Sequence, residues 1–304
     1  MTESVTVRAA AKVNLHLGVG RPRPDGYHPL ATVYQTLSLH DDVTVTTRSQ
    51  WEVELVCEDD IDRDAFPAGK DNIVVRAGRL LAAHHGVDRA AELVVRKSIP
   101  IAGGLAGGSA DAAATLLACD VLWGTGFSRE ELAEIGAELG SDIPFLLHGG
   151  TALGTGRGEA VSQILARPTT WHWVVALADG GLSTPDVYRE LDRLRAAPLP
   201  PAPLERPDAL MAALRQRKPE VLGAALANDL QPAAVSLRPE LADVLKCGYA
   251  AGALAGIVSG SGPTCVFLAS DSGHADELAA ALESAGVCRE AVTARGPMPG
   301  ARVT

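Results

Sequence analysis

The chain has 304 residues, with 27 Lys plus Arg against 37 Asp plus Glu, a formal charge of −10. That length corresponds to about two domains and buries a core without staples. The acidic balance argues against nucleic-acid or anionic-membrane binding, which need a basic surface, but leaves room for a local phosphate pocket. Aromatics are only 4%, so the core must rest on Ala, Val, Leu and Ile. The five cysteines, Cys57, Cys119, Cys247, Cys265 and Cys288, are odd in number and form no C-x-x-C pair, which points away from a zinc knuckle or a disulfide framework. Reduced thiols in the cytoplasm are expected, with no signal peptide at Met1-Thr2-Glu3-Ser4 and no membrane-spanning run.

Residues 5–20 read as a strand in which Lys12, Asn14 and His16 alternate with Val13, Leu15 and Leu17, placing the three polar side chains on one face. Strand signal continues in 32–39, 43–47 and 53–56. Asp71-Asn72 opens an N-capped helix to Ala83, and 92–96 is a short strand. A glycine-dense loop over 102–108 leads into an alanine-rich buried helix, 109–122, and a further helix over 128–139. A strand pair with a turn is read over 149–158. Five prolines between Pro198 and Pro207 suggest an extended surface connection. Helical patterns follow in 208–214, 219–225 and 239–251. The tail reads strand (254–259), turn, strand (264–269), helix (273–284), strand (291–294). Strands cluster early and late with helices between, which predicts an α+β chain of two domains divided between Gly158 and Trp171, taken as 1–162 and 163–304.

The glycine loop is the strongest chemical signal. Gly103, Gly104, Gly107 and Gly108 precede an apolar helix, so backbone N–H groups and the helix N-terminus can meet an anion. The loop fits neither a Walker A motif nor G-x-G-x-x-G, and a glycine turn that permits close helix–strand packing is the competing use. Lys12 is either a solvated edge charge or a cation beside a transferring phosphoryl group. Asp142, in Gly140-Ser141-Asp142-Ile143-Pro144, reads first as a helix cap and second as a general base. Tyr27-His28 follows the turn pair Asp25-Gly26 and is either a surface aromatic or a grip on a base. Ser259-Gly260-Ser261-Gly262-Pro263 is a tight turn that can also approach a ligand. No H-E-x-x-H and no G-x-S-x-G occur.

Pro100-Ile101-Ala102-Gly103-Gly104-Leu105-Ala106-Gly107-Gly108-Ser109 resembles the phosphate loop of the GHMP kinases, the group of galactokinase, homoserine kinase and mevalonate kinase. With Ala11-Lys12-Val13-Asn14-Leu15, Asp25-Gly26-Tyr27-His28, Asn228-Asp229-Leu230 and the 259–263 turn, the resemblance covers nearly the whole chain. It implies an N-terminal domain of the ribosomal protein S5 domain 2-like fold and a C-terminal ferredoxin-like domain, with the site in the cleft between. It also implies ATP and Mg2+ as cofactors. The resemblance further implies, as acceptor, the 2-hydroxyl of a cytidine-diphosphate-linked methylerythritol, in non-mevalonate isoprenoid synthesis. Carried over by motif, Asp142 is the base and Lys12 its partner. Asn72, Lys97, Pro100, Gly103, Gly104, Leu105, Ala106, Gly107, Gly108 and Ser109 serve the nucleotide. Asn14, Tyr27, His28, Tyr34, Ser183, Thr184 and Tyr188 serve the substrate, with Tyr27 and Tyr188 stacking on the cytosine. The metal ligands stay unassigned, and the partner expectation is a small molecule, with no nucleic acid and no membrane, on a monomer or homodimer. Ala110, Gln231 and Asp179-Gly180-Gly181 depart from the group's usual residues. Other members of the group, a non-catalytic relative and an S5-like RNA-binding module are the alternatives; retention of Lys12 and Asp142 speaks against the second and the acidic charge against the third.

Overall fold

The computed structural model describes residues 3–57, 66–67, 69–101, 103–165, 169–196, 204 and 206–304. Ala102 and most of the proline-rich stretch between Pro198 and Pro207 lie outside the described residues. Among these residues no helix is long and apolar enough to cross a membrane.

Two sheets organise the chain. The first runs in the order β12-β1-β2-β4-β3, from β1 (Ser4–Val19), β2 (Leu30–Arg48), β3 (Glu52–Cys57), β4 (Ala90–Lys97) and β12 (Arg302–Val303). β5 (Thr151–Thr155) pairs with β2 and with β6 (Ala160–Gln163), and β8 (Ala227–Asn228) runs parallel to β1. Helices α1 (Ile73–His85), α2 (Gly107–Trp123), α3 (Arg129–Ala137) and α4 (Ile143–His148) pack with it. The second sheet, β11-β7-β10-β9, is antiparallel and built from β7 (Trp171–Leu177), β9 (Ala255–Val258), β10 (Cys265–Ala269) and β11 (Glu290–Gly296). With it lie α5 (Thr184–Arg195), α6 (Asp208–Gln216), α7 (Pro219–Gly223), α8 (Gln231–Leu237), α9 (Glu240–Ala250) and α10 (Ser272–Ser284). This is the α+β arrangement expected.

Helix α2 shows why composition selects this core. It is alanine-rich, and Ala110, Ala112, Ala113, Ala114, Leu116 and Ala118 are all fully buried, so small side chains let it lie close against β1 and β2. Its apolar residues cover all faces, as befits a central helix. One apolar cluster continues from this helix into the second sheet through Trp173, Val175, Val266 and Leu268. The Trp173 indole donates to Gln35 Oε1 at 3.0 Å across the sheets.

The structure corrects several expectations. The strands read over 32–39 and 43–47 are one strand of 19 residues. The strand runs through the gap between them, where Asp41 is buried with its own donors and Asp42 pairs with Arg8 at 2.8 Å. Lys12, Asn14 and His16 do not share a face. The register of β1 on β2 shifts between Asn14 and His16, and Leu17 rather than His16 joins Lys12 and Asn14 at the cleft wall. A bulge reverses the alternation beyond it. The sequence reading carries no element over β7, α5 or α8. For α5 the cause is plain: only Val187 and Leu191 are buried on it, an apolar stripe too thin to register.

Candidate active site

A cavity of about 1010 Å³ opens between the two sheets. Its floor is the start of α2. Ala106 precedes the helix at φ 58° and has no side-chain cap. The first helical bond runs from the Ala110 N–H to the Ala106 carbonyl at 2.9 Å, so the N–H groups of Gly107, Gly108 and Ser109 precede the ladder. With Gly103, Gly104 and Ala106 they line the cavity, which gives this end of α2 the geometry of an anion cradle. Gly104 must be glycine: its φ is +78°, and a Cβ there would lie 2.5 Å from the Ser259 carbonyl. That close approach docks the loop on the 259–263 turn, where the Ser259 hydroxyl donates to the Gly104 carbonyl at 3.1 Å.

Lys12 sits at the foot of this cradle. It is 5% exposed, and its Nζ donates to Asn14 Oδ1 at 2.8 Å and to the Gly104 carbonyl at 3.3 Å, with Asp142 Oδ2 at 3.7 Å. The solvated-edge reading of Lys12 is thereby set aside. Asp142 occupies the N-cap position of α4 but makes no side-chain capping bond. Its carboxylate faces the cavity beside Lys12, so the capping reading is corrected too. Tyr34 is buried, stacks on Phe145 at 4.9 Å and lines the same wall. Burial and then the Asp142 carboxylate hold its phenol well above the ordinary tyrosine range.

At the far end, Tyr27 is 55% exposed with the Arg157 guanidinium 5.0 Å from its ring centre. Tyr188 reaches the wall from α5, its phenol raised by burial and then by Asp142. Its ring lies 4.9 Å from that of His28, tilted by 39°. Thr184 is bonded to the Ser261 hydroxyl at 2.8 Å. Lys12, Asn14, Tyr27, His28, Tyr34, Thr184 and Tyr188 therefore meet in one cavity with Asp142 and the glycines.

Five expected residues do not line it. Asn72 is spent on capping α1: it accepts the Val74 N–H at 3.0 Å and donates to the Pro67 carbonyl at 2.6 Å. Lys97 is buried between Asp41 at 2.6 Å and Asp111 at 2.8 Å. Leu105 is a core side chain that offers its carbonyl to the Lys12 N–H at 3.0 Å. Ser183 is the N-cap position of α5, and Pro100 lies just before the loop. Arg157, Arg189 and Asp192 line the cavity unforeseen. Asp192 stands one helical turn after Tyr188, a signal available once α5 is recognised. The Gln231 departure is explained: its Oε1 accepts the Val258 N–H at 2.9 Å, as a glutamate oxygen does equally well.

The model described as GHMP kinases N terminal domain matches residues 72–150, which hold the loop, α2 and Asp142, and that described as GHMP kinases C terminal matches 210–288. Cradle, cleft and second sheet thus define a small-molecule kinase of the GHMP class. A 4-diphosphocytidyl-2-C-methyl-D-erythritol kinase from Salinispora arenicola is 62% identical over 98% of this chain and 93% of its own length. The enzyme of the same name from Nocardioides is 54% identical over 98% and 99%. A crystal structure of 4-(cytidine 5'-diphospho)-2C-methyl-D-erythritol kinase superposes with a TM-score of 0.76 at 32% identity, covering 96% of this chain and 99% of that one. A mevalonate kinase from L. major in complex with R-mevalonate reaches the same TM-score at 16% identity, over 98% of this chain and 97% of that one, a likeness of fold alone. The chain belongs to the 4-diphosphocytidyl-2-C-methyl-D-erythritol kinase family of the GHMP kinases.

Proposed function

We infer that this chain transfers the γ-phosphoryl group of ATP to the 2-hydroxyl of 4-diphosphocytidyl-2-C-methyl-D-erythritol, the kinase step of the non-mevalonate route to isoprenoid precursors. The observation that carries the reading is the Lys12–Asp142 pair, 3.7 Å apart at the foot of the α2 cradle, in the same cavity as Tyr27, His28 and Tyr188. Phosphoryl transfer asks a protein mainly for positioning and charge stabilisation. The N–H groups of Gly107, Gly108 and Ser109 receive the nucleotide phosphates. Asp142 accepts the proton of the acceptor hydroxyl, a step worth about 10²–10⁴-fold. Lys12, 3.7 Å from the Asp142 carboxylate, faces the charge that spreads over the transferred group. Asn14, fixed by donating to Thr32 Oγ1 at 2.8 Å, orients the erythritol. Tyr27 and Tyr188 hold the two faces of the cytosine, and His28 its edge.

Magnesium fits these residues. Among the described residues no three-carboxylate or histidine cluster forms a cage, and magnesium usually binds through one or two protein oxygens, phosphates and water. Asp142 and Ser109 are the oxygen donors beside the cradle. Bound there, the ion would neutralise phosphate charge. We propose a soluble chain in two units, 1–162 and 163–304, working as a monomer or homodimer on a small molecule.

A coupled assay of ATP turnover tests this with the cytidine-diphosphate compound, homoserine and mevalonate in parallel. Selective turnover of the first is expected. Turnover of homoserine or mevalonate with none of the first would leave only the class standing.

A further inference from the structure

We propose that Asp192 is a positioning residue that selects the base of the substrate, by fixing which ring nitrogen of His28 carries the proton. The proposal rests on the substrate reading above.

His28 is 8% exposed and lines the cavity. Its Nε2 lies 3.0 Å from Asp192 Oδ1. An ionised carboxylate only accepts, so Nε2 is the nitrogen that holds hydrogen. On its face the ring is backed by Tyr188. Nδ1 has no hydrogen-bond partner among the described residues, and it is not one of the buried polar atoms sealed from solvent. The imidazole is thus held on its edge and its face, with one polar atom left over. In the Nε2–H form that atom is a lone pair, an acceptor.

An acceptor at that place suits the exocyclic amino group of cytosine. Uracil differs there by presenting a carbonyl oxygen, which sets lone pair against lone pair. A histidine without Asp192 exchanges its tautomer and satisfies either base. The carboxylate is thereby given a use in a place where it otherwise repels the ligand. A diphosphate-bearing substrate is anionic, and Asp192 is a 41% exposed acid on the cavity wall. Helix α5 delivers both supports of the ring, because Tyr188 and Asp192 are four residues apart on one face.

The test compares kcat/KM for the cytidine-diphosphate substrate and its uridine counterpart in the full chain and in two variants. In Asp192→Asn the side-chain amide can donate to Nε2 and favour hydrogen on Nδ1. The cytidine-to-uridine ratio is expected to fall on the order of tenfold to a hundredfold, the usual consequence of leaving a polar group mismatched. The change should sit in the KM of the base-bearing substrate, with the KM for ATP unmoved. Asp192→Glu, which keeps an acceptor, should recover part of the ratio. Nitrogen-15 shifts of the His28 ring in the unaltered protein give a second reading, and a proton on Nδ1 with Nε2 bare overturns the proposal even if the variants do not fold. An unchanged ratio in an active Asp192→Asn variant overturns it as well and leaves the kinase assignment intact. An unaltered protein that turns over neither nucleotide substrate overturns both.

Discussion

Asp142 stands where a helix cap stands and does not cap, and that separates its two possible roles experimentally. A capping aspartate contributes about 1 kcal/mol to stability, whereas a base contributes to turnover. Asp142→Asn is therefore expected to lose about 10²–10⁴-fold in kcat while its melting temperature stays near that of the unaltered chain. Steady-state kinetics beside thermal melting decide the matter: a lowered melting temperature with full turnover would return Asp142 to a structural role. From residues alone the ambiguity was real, because Gly140-Ser141-Asp142-Ile143-Pro144 carries every sign of a helix start. What weighs against a capping role is Lys12, 130 positions away in the sequence and 3.7 Å away in space. Long-range juxtaposition of this kind leaves no local periodic trace.

At the scale of elements, the start of α2 has two neighbouring glycines with opposite surroundings. A Cβ on Gly107 would meet Ile99 Cγ2 at 3.0 Å and Lys97 Nζ at 3.1 Å, on the inner side. A Cβ on Gly108 would meet only Ile73 Cγ2, at 3.8 Å. Gly107→Val should therefore destabilise the fold before it says anything about nucleotide. Gly108→Val should fold and raise the KM for ATP, because its side chain enters the cradle. Melting curves and ATP kinetics of the pair check this, and an unchanged KM in a folded Gly108→Val chain would remove the phosphates from the loop. Beneath the same helix, Lys97 joins Asp41 and Asp111. Asp41 also accepts the Ser98 N–H at 2.7 Å and the Ile99 N–H at 2.8 Å, so it anchors the segment that enters the loop. Asp111 has one oxygen without any donor, and burial followed by the Asp41 charge holds its carboxyl well above the usual range. A carboxyl whose folded value is raised binds its proton more tightly folded than unfolded. Its contribution to stability is then full below the unfolded value, about 3.9, and is lost as pH rises through the folded value. Asp111→Asn, which imitates the protonated acid, should gain on the unaltered chain as pH rises across that window. Urea unfolding at several pH values measures the difference, and a constant difference would assign the charge elsewhere. Asp41→Asn should cost about 3–5 kcal/mol in the same assay, since it breaks a buried pair. The loop and α2 were legible in the sequence because glycine density and alanine content are local properties. Lys97 was placed at the nucleotide because a lysine at that motif position says nothing of the two acids that enclose it. Tyr188 was named only through the family resemblance, because α5, its carrier, was too polar to be read as a helix.

For the whole molecule, the two sheets share one apolar cluster and several cross-ties. β12, at the end of the chain, pairs Val303 with Val7 and Arg302 with Arg8 on β1. The 227–228 strand also lies on β1, and Asn228 Nδ2 donates to the Val258 and Gly260 carbonyls at 2.7 and 2.8 Å. A fragment ending at residue 162 would lack all of these and expose the face that Trp173 covers. Unfolding should consequently be one cooperative event. Fluorescence and far-ultraviolet circular dichroism should give coincident urea transitions. Two separated transitions would mean that the units are energetically independent.

Three of the four tyrosines, Tyr27, Tyr34 and Tyr188, line the cavity, and none of the four tryptophans does. Trp51 and Trp123 meet edge to face at 6.1 Å on the N-terminal side, and Trp171 and Trp173 belong to β7. The chain therefore carries its optical reporters in two separate compartments. Indole emission follows the packing of the core, while the phenol bands of absorbance and near-ultraviolet dichroism follow the cleft. Occupancy of the cavity is accordingly to be watched through tyrosine, with tryptophan serving in the same cuvette as a built-in measure of whether the fold has held.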